Sequence, residues 1–201
     1  MSSSSGSLDL TLRDGSQVRA RRLLPEDRQL VAEAYRRLSP EARYHRFWTQ
    51  TGEMIGERML DRLLKVDPGN HEIWTVYDPS RTEFMPMGAA SWWRDPEYPD
   101  EAEISATVLD RDHGLGIGTL MLALMWVTAF RAGISTLVGH GLLENKTAAM
   151  WMRRTGAIGT WDGYKNVYRW DLADLEKLPE TRAAAELASW LAELAPKLLE
   201  E

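Results

Sequence analysis

Residues 108–120 read VLDRDHGLGIGTL: an extended run passes into a turn carrying Gly114, Gly116 and Gly118 at alternate positions, and then into an apolar helix. This stretch constrains the fold more than any other, because a strand has to end where the turn begins and a helix has to start where it stops. Glycine adopts positive φ at no steric cost and lets the backbone approach a ligand closely. Successive N–H groups in such a turn, backed by the positive end of a helix, cradle an anion, above all a phosphate. The helix, about 116–131, is apolar nearly all round, which predicts burial against a sheet.

The flanking sequence supplies that sheet. Leu8, Leu10 and Leu12 alternate, Asp14-Gly15 turns the chain and Gln17–Leu23 returns, which reads as a hairpin. Pro25 opens a helix with Leu30, Val31, Ala34, Tyr35 and Leu38 at helical spacing, and Ser39-Pro40-Glu41 caps a second, short one through Phe47. A third spans about Glu53–Lys65 and stops at Asp67-Pro68-Gly69-Asn70. Glu72–Tyr77 and Met87–Trp93 read as antiparallel strands across a polar turn at Pro79–Thr82, and Glu103–Leu109 is the strand entering the glycine turn. Gly133 stops the buried helix. Ile134–Leu143 is a strand, Asn145–Arg154 a helix, and Ala157–Trp161 with Tyr164–Leu172 a hairpin around Asp162-Gly163. Leu187, Trp190, Leu191 and Leu194 make a stripe on a C-terminal helix that packs on the body or on a second copy of the chain, a homodimer. The whole reads as α+β, with 1–7 a disordered lead-in, 8–172 the main domain and 173–201 a C-terminal helical extension.

Bulk properties exclude several classes of function. With 201 residues, a single core is the default. A formal charge of −6 argues against nucleic acid as a partner. No run approaches the ~18 apolar residues of a membrane span, and no signal-peptide core is visible, which predicts a cytoplasmic, membrane-free setting. The chain has no cysteine, so disulfides, thiolate metal sites and cysteine nucleophiles fall together. His45, His71 and His140 show no ligand spacing, and no metal site is expected.

The remaining question is which phosphate the turn holds. A P-loop requires Lys-Ser/Thr directly after its last glycine, where this chain has Thr119-Leu120. A dinucleotide fingerprint requires GxGxxG after a first strand and an acidic residue about 20 positions on; here the turn is GxGxG, past mid-chain, with Phe130-Arg131-Ala132 at the later place. His113–Gly118 instead resembles the Q/R-x-x-G-x-G/A motif of the GNAT acyltransferase superfamily, and Asn145, Ala148 and Gly156 stand at that family's following Asn-x-x-Ala and Gly spacings. Leu24-Pro25-Glu26-Asp27, Arg37–Phe47, Ala102-Glu103-Ile104 and the run Gly139, Leu142, Glu144-Asn145 further resemble the acetyltransferase domain of bacterial protein-lysine acetyltransferases. The resemblance implies an α/β/α sandwich with a mixed, mostly antiparallel sheet flanked by helices. It also implies acetyl-coenzyme A as the acyl donor and a primary amine, favouring a protein lysine, as acceptor.

A lysine ammonium has a pKa of about 10.4, so acyl transfer to it needs a base. Glu103 matches the position of the general base in the lysine-acetylating relatives, between the hydrophobic walls of a cleft; Glu101, two residues before it, shares its strand face and is the substitute. The resemblance assigns the backbone of Val108 and Leu109 to the pantetheine arm and the thioester carbonyl. It assigns the turn His113, Gly114, Leu115, Gly116, Ile117, Gly118 and Thr119 to the pyrophosphate, and Asn145 to the pantetheine, where Asn is also a natural helix cap. His113 replaces the family's Gln or Arg and reads as a loop-packing residue. Met152 stands where many members carry a tyrosine acid, leaving Tyr164, Tyr168 or water to protonate the thiolate. Two rival readings remain: an acetyltransferase for a small-molecule amine, and a regulatory module that binds acyl-coenzyme A without turnover.

Overall fold

A computed structural model describes residues 6–49, 52–81 and 85–199. Strands β1 (Ser7–Thr11) and β2 (Gln17–Arg22) form the expected hairpin. The lead-in expected at 1–7 lies outside the described residues for 1–5, and Ser7 already pairs with Arg21. A single 3-10 turn at Pro25–Asp27 leads into α1 (Arg28–Arg36). Helix α2 (Pro40–Phe47) starts where Pro40 fixes φ and Ser39 Oγ accepts the Ala42 N–H at 3.1 Å. Helix α3 (Glu57–Leu63) is shorter than its expected span, because extended Gly56 is its N-cap and the preceding Met54 side chain lies in solvent.

The chain then makes β3 (His71–Tyr77), β4 (Pro86–Arg94) and β5 (Glu101–Val108), each antiparallel to the strand before it. After the glycine turn come α4 (Ile117–Arg131), β6 (Thr136–Gly141), α5 (Lys146–Arg154), β7 (Ile158–Trp161), β8 (Asn166–Asp171) and α6 (Arg182–Leu198). β6 begins later than expected because Ile134 belongs to the helix end: its N–H reaches back to Ala129 O at 3.0 Å around Gly133, at φ +81°. The result is an eight-stranded sheet in the order β1-β2-β3-β4-β5-β6-β8-β7, mixed because β5 and β6 run parallel.

The main core lies on one face of this sheet, between Trp74, Trp92, Ile104, Leu137 and Trp170 and the helices α4, α5 and α6. Two smaller clusters, around Tyr35, Leu38 and Leu109 and around Leu23, Leu64 and Ile73, hold α1–α3 to the other face. The three layers are the expected sandwich. Helix α4 has no polar side because β3–β5 cover one flank and α6 the other. Ala184, Leu187, Trp190, Leu191, Leu194 and Leu198 of α6 are buried in the main core, so the C-terminal stripe packs on the body. Arg131, at the end of α4, donates to Leu198 O at 2.7 Å, and Glu186, near the start of α6, reaches Gly116; the two helices therefore run parallel, with both N-termini at one end.

Candidate active site

β5 and β6 pair from Glu101 to Ile104 and from Thr136 to Gly139, and then part. On β5 the Glu101 carbonyl accepts the Asp95 N–H, and the Leu109 N–H donates to Met87 O, so odd-numbered residues exchange hydrogen bonds toward β4. Even-numbered residues turn their peptide groups toward β6. Ala102 and Ile104 meet it there; Ala106 and Val108, beyond the parting, face an open gap. Across the gap, the Leu172 N–H donates to Ser135 O, which sets odd-numbered residues of β6 toward β8 and turns the His140 peptide into the same gap. The parting thus opens a cleft of about 1430 Å³ whose inner walls are strand backbone without a ladder partner.

The glycine turn closes one end. Gly114 and Gly116 have φ of +79° and +89°. Gly116 is the N-cap of α4, and among the described residues no side chain caps the first-turn N–H groups of Ile117, Gly118 and Thr119. Trp151 of α5 packs on Gly118 and donates to Thr119 Oγ1 at 3.3 Å. Buried Asp112, paired with Arg81 at 3.0 Å and Arg111 at 3.3 Å, anchors the approach to the turn. Lys146, Arg154 and Arg182 also line the cleft, with no ion pair to any of them among the described residues. Unexpectedly, a carboxylate reaches it too: a Cβ on Gly116 would collide with Glu186 Oε1, while Glu186 Oε2 pairs with Arg13 at 3.0 Å.

Several residues singled out from the sequence do meet here. His113, Gly114, Gly116, Ile117, Gly118, Thr119, Val108 and Asn145 all line the cleft. His113 holds the turn, its Nε2 lying 3.1 Å from Val108 O. Asn145 Oδ1 accepts the Ala148 N–H at 3.0 Å, the cap of α5, and its amide NH₂ remains as a donor. Leu109 is a correction: its N–H is bound to Met87 O, its carbonyl to the Asp112 N–H, and its side chain is buried under α1, so neither peptide group is offered to a ligand. The Leu115 side chain likewise packs against the main core. Among the described residues no tyrosine lines the cleft: Tyr164 is 79% exposed on the β7–β8 turn, and Tyr168 is fully buried.

At the mouth, Glu103 lies in register with Trp93 on β4 and Val138 on β6. Its side chain is 61% exposed rather than held between hydrophobic walls, because it stands where the strands part and α2 covers that point incompletely. Glu103 Oε2 lies 4.0 Å from His140 Nε2. Glu101, on the same face, is turned to Arg169 at 3.7 Å and does not line the cleft, so the carboxylate that faces the gap is Glu103. The ring of His140 lies edge-on to Trp48, 6.3 Å between centroids, and its Nδ1 is buried with no partner among the described residues. Burial first, then the nearby Lys165 cation, hold this imidazole below its ordinary value, against the opposing pull of Glu103 and Asp162. It is therefore neutral at pH 7. Burial likewise pulls the Arg46 guanidinium down to about 10 while Glu103 supports its charge, so it stays a cation. Nothing local in the sequence marks His140; only the parallel pairing of β5 with β6 brings it to Glu103.

The solved GNAT domain of Streptomyces lividans PAT superposes on this architecture with a TM-score of 0.75 at 19% identity, covering 82% of this chain and 96% of that one. The chain has the GNAT fold. The structure of yncA from Salmonella typhimurium, solved with its cofactor acetyl-CoA, matches with a TM-score of 0.59 at 15% identity over 77% of this chain and 94% of that one. In sequence, the chain is 25% identical over 151 residues to the acetyltransferase Pat of Mycolicibacterium smegmatis, covering 75% of this chain. It spans 44% of that relative's length. No family model matches the chain. The glycine turn, β5 leading into it and α4 behind it form one continuous unit, the stretch that the sequence singled out.

Proposed function

We propose that the protein is an acetyl-coenzyme A-dependent N-acetyltransferase acting on a primary amine, favouring a protein lysine, with Glu103 as general base. The observation that carries this reading is the parting of β5 from β6 directly beside uncapped α4 amides. The cleft fits the co-substrate: a negative pyrophosphate matches the α4 N-terminus in a cleft also lined by Lys146, Arg154 and Arg182, and an extended pantetheine amide matches the Ala106 and His140 peptide groups and the Val108 N–H. Bound acetyl-coenzyme A supplies the acetyl group as an activated thioester.

The chain's own residues supply the rest. First-turn amides of α4 hold the phosphates, and the Val108 N–H orients the acyl end from the open edge of β5. Glu103, exposed at the mouth, receives the ammonium and removes its proton; a neutral amine is the nucleophile, and solvent protonates the thiolate, in keeping with a cleft that no tyrosine lines among the described residues. Glu41 and Glu144 also line the cleft, and the charge of Glu144 raises the Tyr44 phenol above its ordinary value; these carboxylates offer partners to a cationic acceptor beside the Arg46 and Lys165 cations. The likeness of Arg37–Phe47 to the lysine-acetylating relatives favours a protein lysine over a small molecule.

The test is thiol release from acetyl-coenzyme A against a panel of lysine peptides and small amines, wild type beside Glu103→Gln. Turnover on peptides and a kcat loss of about 100-fold or more in the variant are expected. Tight binding without turnover on any acceptor would favour the regulatory module, and full activity in Glu103→Gln would remove Glu103 as the base.

A further inference from the structure

We propose that His140 is a second general base, its Nε2 sharing the incoming amine with Glu103 and taking a proton from it as the new C–N bond forms. This rests on the acyl-transfer reading above. Two side chains from different strands, Glu103 of β5 and His140 of β6, point from the same sheet face across the point where those strands part. Their 4.0 Å separation is too long for a good hydrogen bond between them, yet it lets one nitrogen lie about 2.9 Å from both.

Two adjacent acceptors suit the proton balance of the reaction. A lysine ammonium becomes an amide N–H, so its nitrogen gives up two protons while the C–N bond forms and the thioester C–S bond breaks. One proton ends on the sulfur as free thiol and the other in solvent. A single carboxylate takes one proton at a time, and an imidazole beside it supplies a second acceptor.

The surroundings keep the imidazole ready for that role. Trp48, after α2, covers it edge-on; Lys165 and Asp162 face it from the turn before β8, Arg169 from β8 and Glu103 from β5. Lys165 lies over the Trp48 ring, 5.5 Å from its centre, so the cation that disfavours imidazolium is itself held in place. Nε2 is the nitrogen turned to Glu103, and it accepts a proton in the tautomer whose hydrogen sits on the buried Nδ1. On protonation, the Glu103 carboxylate is the countercharge and solvent at the exposed mouth removes the proton.

The experiment compares wild type, His140→Gln and Glu103→Gln by pH profiles of kcat and KM for one lysine peptide, by acetyl-coenzyme A affinity in calorimetry, and by ¹⁵N NMR titration of the imidazoles. We expect His140→Gln to keep acetyl-coenzyme A affinity and peptide KM within about twofold, while kcat falls about 100-fold and the acid limb of its profile disappears. In wild-type protein without co-substrate, the His140 resonance, identified by through-bond assignment, is expected to titrate at that acid limb and to move to lower pH in Glu103→Gln. Unchanged kcat and acid limb in His140→Gln, with wild type active, would overturn the inference and leave the acyl-transfer reading standing. A His140 titration indifferent to Glu103→Gln would overturn it even if the His140 variant failed to fold. Wild-type protein that binds no acetyl-coenzyme A would take down both.

Discussion

Glu186 gives the sharpest test of where a phosphate binds. Its carboxylate reaches the α4 N-terminus from α6, lies so close to Gly116 that a Cβ there would strike it, and is neutralised by Arg13 at 3.0 Å. A pyrophosphate on the first-turn amides would lie on the order of 5 Å from that carboxylate, where like unit charges repel by about 0.8 kcal/mol in water and about 3 kcal/mol at an effective dielectric of 20. The Glu186 side chain is only 16% exposed but borders an open cleft, so a cost of about 1–2 kcal/mol is the working figure. Glu186→Gln keeps the shape, removes the repulsion and frees Arg13 for the phosphates. Coenzyme A should therefore bind about 5- to 30-fold more tightly to the variant. Isothermal calorimetry at low and moderate salt measures this, and the gain should shrink as salt screens the charges. Equal or weaker binding by Glu186→Gln would refute the reasoning, because it would mean that the anion does not share the α4 N-terminus with Glu186.

Three further outcomes follow from the packing. Buried His71, stacked on Trp93 at 3.6 Å, is held below its ordinary value chiefly by burial, so the unfolded chain takes up its proton first. Stability attributable to it is complete above about 6.5 and is lost as pH falls toward and through the folded value. Urea midpoints between pH 7.5 and 5 should fall less in His71→Phe than in wild type. Gly88→Ala would press a methyl to 2.8 Å from Thr107 O and 3.0 Å from Met121, and should cost about 1–3 kcal/mol of stability by denaturant titration. Asn145→Ala removes the cap on Ala148 N–H and should cost about 1 kcal/mol, with Asn145→Ser restoring most of it in the same assay.

Local chemistry was legible wherever a few neighbouring residues suffice to decide it. Ser39 and Asn145 cap the helices they precede, Gly133 ends α4, and the stripe from Leu187 to Leu194 is the buried side of α6. The glycine turn was legible as an anion cradle, because backbone freedom and a helix N-terminus are both properties of consecutive residues. Leu109 was misread for the opposite reason: which peptide groups of a strand are free depends on the partner strand, and Met87 takes its N–H.

The sequence by itself determined the turn, the strand feeding it and the buried helix behind it, through periodicity and through what glycine permits. Only the tertiary structure decided that β5 and β6 part after Ile104, that Glu103 faces His140 rather than an apolar wall, and that Glu186 descends on Gly116 from a helix at the far end of the chain. Those facts arise from strand register and from the parallel packing of α6 on α4. Both are settled by burying apolar surface between segments distant in sequence, and no window of neighbouring residues contains them.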